Sequence, residues 1–66
     1  MQQIDSTMRR IMEYLSDELA PGEEKFISYT EIGNAIECSR HAVKYSIAKL
    51  QKLGKVRIKD RKLSLA

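Results

Sequence analysis

The sequence of 66 residues has one cysteine, one proline, three glycines, a single phenylalanine and no tryptophan. Each scarcity excludes something. Cys38 has no partner for an intrachain disulfide, and with His41 the only histidine there is no ligand set for a Cys/His metal cluster. No apolar run approaches the ~20 residues of a membrane span. The three glycines form no phosphate-cradling loop, and no nucleophile lies beside a base. Catalysis is therefore not expected, nor is a cofactor, and no small-molecule ligand is indicated. Internal repeats and low-complexity stretches are also missing. The lone thiol and the lack of a secretory-type leader fit a reducing cytoplasm, which is the expected location.

What remains is enough for one domain over residues 1–66 with one small core, since 42% of the residues are hydrophobic. A chain of this length buries roughly 60% of the surface that its unfolded form exposes.

Net charge is +3, but its distribution is uneven. Residues 1–38 carry eight acidic side chains against Arg9, Arg10 and Lys25. Residues 39–66 carry nine basic side chains against Asp60 alone. One half is thus at −5 and the other at +8, an asymmetry that suits a polyanion-binding face.

Ile4, Met8, Ile11, Met12, Leu15 and Leu19 recur at spacings of three and four, which predicts an amphipathic helix over residues 3–19. Pro21-Gly22 ends it. Lys25-Phe26-Ile27 is a short apolar stretch with room for a brief third strand near 26–28. Ser28-Tyr29-Thr30-Glu31 has the form of a capping box, so a second helix starts at Ser28 and ends near Glu37. Its buried face is expected at Ile32, Ala35 and Ile36. Ser39 caps a third helix, 39–53, which buries Val43, Ile47, Leu50 and Leu53 and closes at Gly54, with Lys49 and Lys52 near its C-terminal dipole. The tail alternates as a hairpin should. A two-residue loop at Asp60-Arg61 sets Lys59 against Lys62, Ile58 against Leu63, Arg57 against Ser64 and Val56 against Leu65. That register puts Val56, Ile58, Leu63 and Leu65 on one side. The loop lacks the usual glycine, which leaves its turn type open.

The expected fold is α+β, mostly α: three helices and a C-terminal hairpin over 56–65, in the order of a winged helix-turn-helix. Two short helices joined by the turn Glu37-Cys38-Ser39 suit DNA binding, because the second such helix enters the major groove and reads base edges from its first turns. Opposite the buried stripe of helix three lie His41, Lys44, Tyr45, Ala48 and Lys52, with Arg40 at the flank of the first turn. Arginine suits guanine edges and phosphates alike, while Lys44 and Tyr45 suit phosphate oxygens.

The stretches Thr30-Glu31-Ile32-Gly33, Ser39-Arg40-His41-Ala42-Val43-Lys44, Leu50 and Leu53-Gly54-Lys55-Val56 resemble the helix-turn-helix of bacterial winged-helix repressors, the GntR type especially. That pattern has Ser-Arg shortly before an Ala/Thr-Val pair, a leucine seven residues after the valine, and a glycine opening the first wing strand. Residues 28–37 also resemble helix two of the LexA amino-terminal domain. The resemblance covers about residues 26–66. It implies that Arg40 is a principal DNA contact, that Ser39 touches phosphate from the cap, and that Asp60-Arg61-Lys62 form the wing tip. It carries over no effector-sensing domain.

Several residues have a duller alternative. Cys38 reads as a buried structural thiol before a redox sensor. Tyr29 either hydrogen-bonds a phosphate or packs on the wing. Lys59, Arg61 and Lys62 either contact DNA or guard a strand edge. The expected DNA-binding set is Ser39, Arg40, His41, Lys44, Tyr45, Lys59, Arg61 and Lys62. The expected role is a prokaryotic, phage or plasmid transcriptional regulator, nucleoid-associated, repressor-like and dimeric or on tandem sites. Two alternatives stay open: a winged helix that binds protein, and a DNA-binding fragment of a replication or partition protein.

Overall fold

Each of the three helices starts on a side chain that accepts a hydrogen bond from an otherwise unpaired backbone N–H. In the computed structural model, which describes residues 5–65, Asp5 caps α1 (Ser6–Glu18), Ser28 caps α2 (Tyr29–Ile36) and Ser39 caps α3 (Arg40–Lys52). The Asp5 carboxylate accepts from the Met8 N–H at 2.8 Å, Ser28 Oγ from Glu31 at 3.0 Å and Ser39 Oγ from Ala42 at 3.1 Å. A cap of this kind contributes about 1 kcal/mol. Helix one is thus shorter than 3–19: Asp5 has extended backbone and starts it at Ser6, and Leu19 leaves it in extended conformation. Ile4, the first residue of the expected stripe, lies outside the described residues.

The chain then turns through Ala20-Pro21-Gly22-Glu23, where the Glu23 N–H donates to the Ala20 carbonyl at 2.9 Å. Gly22 has φ +82°, the value that the third residue of a type II turn requires. Beyond it the extended segment pairs with the hairpin through a single bridge. Lys25 and Leu63 exchange backbone hydrogen bonds at 3.0 and 2.8 Å as an isolated bridge. The brief strand expected near 26–28 is therefore not formed. Ile27 turns into the core, Phe26 points to solvent, and the Ser28 cap commits the backbone to α2.

The hairpin, β1 (Val56–Lys59) and β2 (Lys62–Leu65), has the expected register, with Val56 against Leu65 and Lys59 against Lys62. Asp60 and Arg61 both have positive φ, 52° and 66°, as in a type I′ turn, the twist of which matches that of the strands. Val56 and Leu63 are buried; Ile58 and Leu65 are half-buried. Ser64, assigned to the polar side, is buried as well, which its small side chain permits.

The core lies between the three helices and the inner face of the hairpin. Ile11 and Leu15 of α1, Ile32 of α2, and Val43, Ile47 and Leu50 of α3 have no exposed surface. Each such side chain contributes about 1.5–3 kcal/mol through burial. On α2 the buried face is Ile32, Gly33 and Ile36, while Ala35 is exposed, contrary to expectation. The reason is the closeness of the turn: a Cβ on Gly33 would lie 2.6 Å from the Cys38 carbonyl oxygen. Position 33 is thus the one where the chain doubles back, and the helix rotates that side inward. This layout of three helices and a hairpin is that of a winged helix-turn-helix, α+β and mostly helical.

The α2 and α3 ends share one device. The Cys38 N–H reaches back to the Gly33 carbonyl at 2.8 Å, and the Lys55 N–H to Leu50 at 3.0 Å, each bond spanning a residue in left-handed conformation. After α3 that residue is Gly54; after α2 it is Glu37, at φ 59°. Cys38, expected to be buried, is half-buried against the core, and its thiol donates to the Ile36 carbonyl at 3.7 Å. It sits at the outer edge of the turn, so only one side of it is covered.

The capping box at α2 closes only by half. Glu31 supplies its N–H to Ser28, but its carboxylate accepts from the Tyr14 hydroxyl, which lies 3.1 Å from Glu31 Oε2 and 3.1 Å from Glu18 Oε1. Tyr14 thereby joins α1 to the start of α2. Its pKa is pushed up to about 12, first by burial and then by the two carboxylates that hold its proton.

Both the tight turn and this tyrosine can be tested. Gly33→Ala forces a methyl group against the Cys38 carbonyl, and should lower stability by about 1–3 kcal/mol in urea denaturation; an unchanged midpoint would mean that the turn opens freely. Tyr14 has a raised folded-state pKa, so its contribution is present below pH 10 and is lost as pH rises through about 12. Phenolate absorbance should show a phase near pH 12 that Tyr14→Phe removes, and the variant should lose less stability than the parent over this window. Identical profiles would show that the contact does not persist in solution.

Candidate nucleic-acid interface

Because Val43, Ser46, Ile47 and Leu50 hold α3 in the core, its opposite side is turned to solvent. Ser46 joins that buried stripe although its hydrophobicity does not mark it out. His41, Lys44, Tyr45, Ala48 and Lys52 are all exposed, as is Arg40 in the first turn. His41, Lys44, Tyr45 and Ala48 together border a shallow depression in the helix surface. Ala48 contributes only a methyl group there, so the taller side chains stand around it.

Tyr45 is 64% exposed, yet its ring is not loose. The Lys49 ammonium lies over it, 4.5 Å from the centroid, one helical turn further on. The sequence assigns Lys49 only to the C-terminal dipole. The signal for its second role is its i+4 spacing from an aromatic on the same exposed side.

The wing presents Lys59, Arg61 and Lys62, all exposed. Lys59 and Lys62 face each other across the ladder, a pairing of like charges that is locally unfavourable. Arg61 does something further. It shares the lining of one groove with Arg40 of α3 and with Tyr29 of α2, although these three residues are far apart in sequence. Lys59 and Lys62 are not among the residues that line it. Tyr29 is partly buried against the core, and it shares the lining of this groove with Ile58, Arg61 and Leu63 of the hairpin.

Ser39 is exposed, and its Oγ accepts from Ala42 as the cap. The hydroxyl proton is left to donate outward, as a phosphate contact would need. Two acidic residues border these elements in sequence: Glu37, the C-cap of α2, and Asp60 at the wing tip, both exposed. The Glu31 carboxylate is instead engaged by Tyr14. Among the described residues no group of His, Cys, Asp and Glu is arranged to hold a metal ion. No helix among them is long and apolar enough to cross a membrane.

Comparison with known proteins yields no relative: no family model, no curated protein and no solved structure matches this chain.

The wing tip carries a measurable cost. Arg61 has φ 66°, a conformation that disfavours a side chain by about 1–2 kcal/mol, partly offset by the greater flexibility of glycine in the unfolded chain. Arg61→Gly should therefore raise stability by up to about 1 kcal/mol in urea denaturation. A destabilised variant would mean that packing of the guanidinium outweighs the backbone strain.

Proposed function

We propose that this domain binds double-stranded DNA sequence-specifically, as a transcriptional regulator of prokaryotic, phage or plasmid type. The observation that carries this reading is the shared groove of Arg40 and Arg61, in which no acidic side chain lies, beside the exposed His41, Lys44 and Tyr45. It brings the first turn of a helix-turn-helix and the tip of a hairpin wing, both cationic, to one part of the surface. In such proteins the second helix enters the major groove.

On this reading Arg40 reads a base edge, and Ser39, His41, Lys44 and Tyr45 flank it on bases and phosphates. Lys49 acts by holding the Tyr45 ring. Lys59, Arg61 and Lys62 lie on the backbone or in the minor groove, where a phosphate relieves the repulsion between the two lysines. A helix of 13 residues is about 20 Å long and reads only a few base pairs. Useful specificity therefore calls for a dimer or for tandem sites, and repression by occupancy is the simplest mode of action. Such a protein would be associated with the nucleoid.

Fluorescence anisotropy on duplex DNA across a salt series tests this. The chain should bind random duplex, with an affinity that falls steeply with salt. Arg40→Ala should cost about 1–3 kcal/mol on a selected site and far less on random DNA, as removal of a bidentate base interaction does. The double variant Arg61→Ala/Lys62→Ala should weaken binding to all sequences alike. Its log–log salt slope should be shallower by roughly 0.9 for each phosphate that is no longer neutralised. A chain that binds no duplex at low salt is not a DNA-binding protein, and this reading then falls.

A further inference from the structure

The groove that holds Arg40 and Arg61 is not merely cationic. It has a volume of about 430 Å³, and its walls include Phe26, Tyr29, Ile58 and Leu63. This is within the size range of small-molecule sites, which are mostly apolar with a few placed polar groups. Phe26 is its anomaly. It is 62% exposed while its neighbour Ile27 is 4% exposed, so the largest apolar side chain of the segment is left at the mouth of the groove. Covering a phenylalanine is favourable, and here it needs no rearrangement of the core. Arg61 is likewise held at the groove by a backbone conformation that costs energy, and strain of this kind gathers at functional positions.

We infer that this groove binds an amphipathic monoanion, a flat apolar body that bears one carboxylate, sulfonate or phosphodiester group. The body lies against Phe26 and Ile58, and the anionic group takes hydrogen bonds from the Arg40 and Arg61 guanidiniums, which are suited to planar, bidentate recognition. A DNA backbone engages the same arginines but brings no flat apolar body to set against the exposed Phe26 and the half-buried Ile58. An uncharged apolar ligand leaves both guanidiniums unused. Only a ligand with both parts meets the whole lining. The site stands independently of the proposed function, but its consequence rests on that reading: ligand and DNA share Arg40 and Arg61, so each excludes the other.

The probe is 8-anilinonaphthalene-1-sulfonate, titrated into the intact chain without DNA, with its uncharged analogue N-phenyl-1-naphthylamine in parallel. Saturable binding to one site is expected. Amide shift changes in ¹H–¹⁵N spectra should be confined to residues 26–30, the start of α3 and the hairpin. Arg61→Ala should weaken the sulfonate by about tenfold, as removal of a charged hydrogen bond does, and leave the neutral analogue unchanged. Phe26→Ala should weaken both, and since Phe26 is exposed its thermal midpoint should match that of the parent. Non-saturating binding, shifts centred on Tyr45, or equal affinity for the two dyes with no effect of Arg61→Ala would each overturn the proposal. With duplex DNA present, the sulfonate should displace it at the concentrations at which it fills the groove. Dye binding in a chain that binds no DNA would refute the DNA reading and leave the anion site standing; DNA binding without dye binding would do the reverse.

Discussion

The approach of the Cys38 carbonyl to Gly33 is the constraint around which the molecule is arranged. A side chain at 33 would meet that oxygen at 2.6 Å, so glycine is what lets the chain reverse so tightly between α2 and α3. The reversal sets the direction in which α3 leaves α2, and with it which side of α3 meets the core. Once Val43, Ile47 and Leu50 are committed inward, His41, Lys44 and Tyr45 have only solvent to face. A wider turn would rotate the basic side of the helix and separate Arg40 from the wing.

Among the described residues, three positions depart from the conformation that their side chains prefer. Glu37, Asp60 and Arg61 all have positive φ without being glycine. The first closes α2, and the other two form the wing tip. Each is tolerated because hydrogen bonds around it leave little choice, the Cys38 bond to Gly33 in one case and the ladder of the hairpin in the other. Such strain in a domain with so small a core is a substantial fraction of its stability. That two of the three positions form the wing tip, where Arg61 lines the cationic groove, links the strain to the surface and not to the packing.

Charge is separated along the chain and again in space. The acidic half supplies α1 and α2, where Tyr14 draws the Glu18 and Glu31 carboxylates together. The basic half supplies α3 and the hairpin. This separation leaves the groove beside Tyr29 without a carboxylate, so its two guanidiniums have no anionic side chain of this chain in the same lining. The like-charged pair Lys59 and Lys62 has the same logic, being unfavourable alone and relieved by any phosphate.

Most of the architecture was legible in one dimension, because the features that specify it are local. The serine caps of α2 and α3, the 3.6-residue periodicity of α1 and α3 and the two-residue alternation of the tail need only neighbours to be recognised, and the hairpin register came out residue for residue. What failed depended on distant partners. Gly33 takes the place of Ala35 on the buried side of α2 because of the Cys38 carbonyl beyond the end of that helix. Glu31 leaves its own helix cap for Tyr14, 17 residues distant, and the third strand shrinks to a bridge in which Leu63 pairs with Lys25 alone. The amino-acid order determined by itself the elements, their order and the basic character of α3 and the wing. Tertiary structure alone decided that Arg40, Arg61, Tyr29 and Phe26 line one groove, since no periodicity or spacing along a chain encodes the juxtaposition of three separate segments.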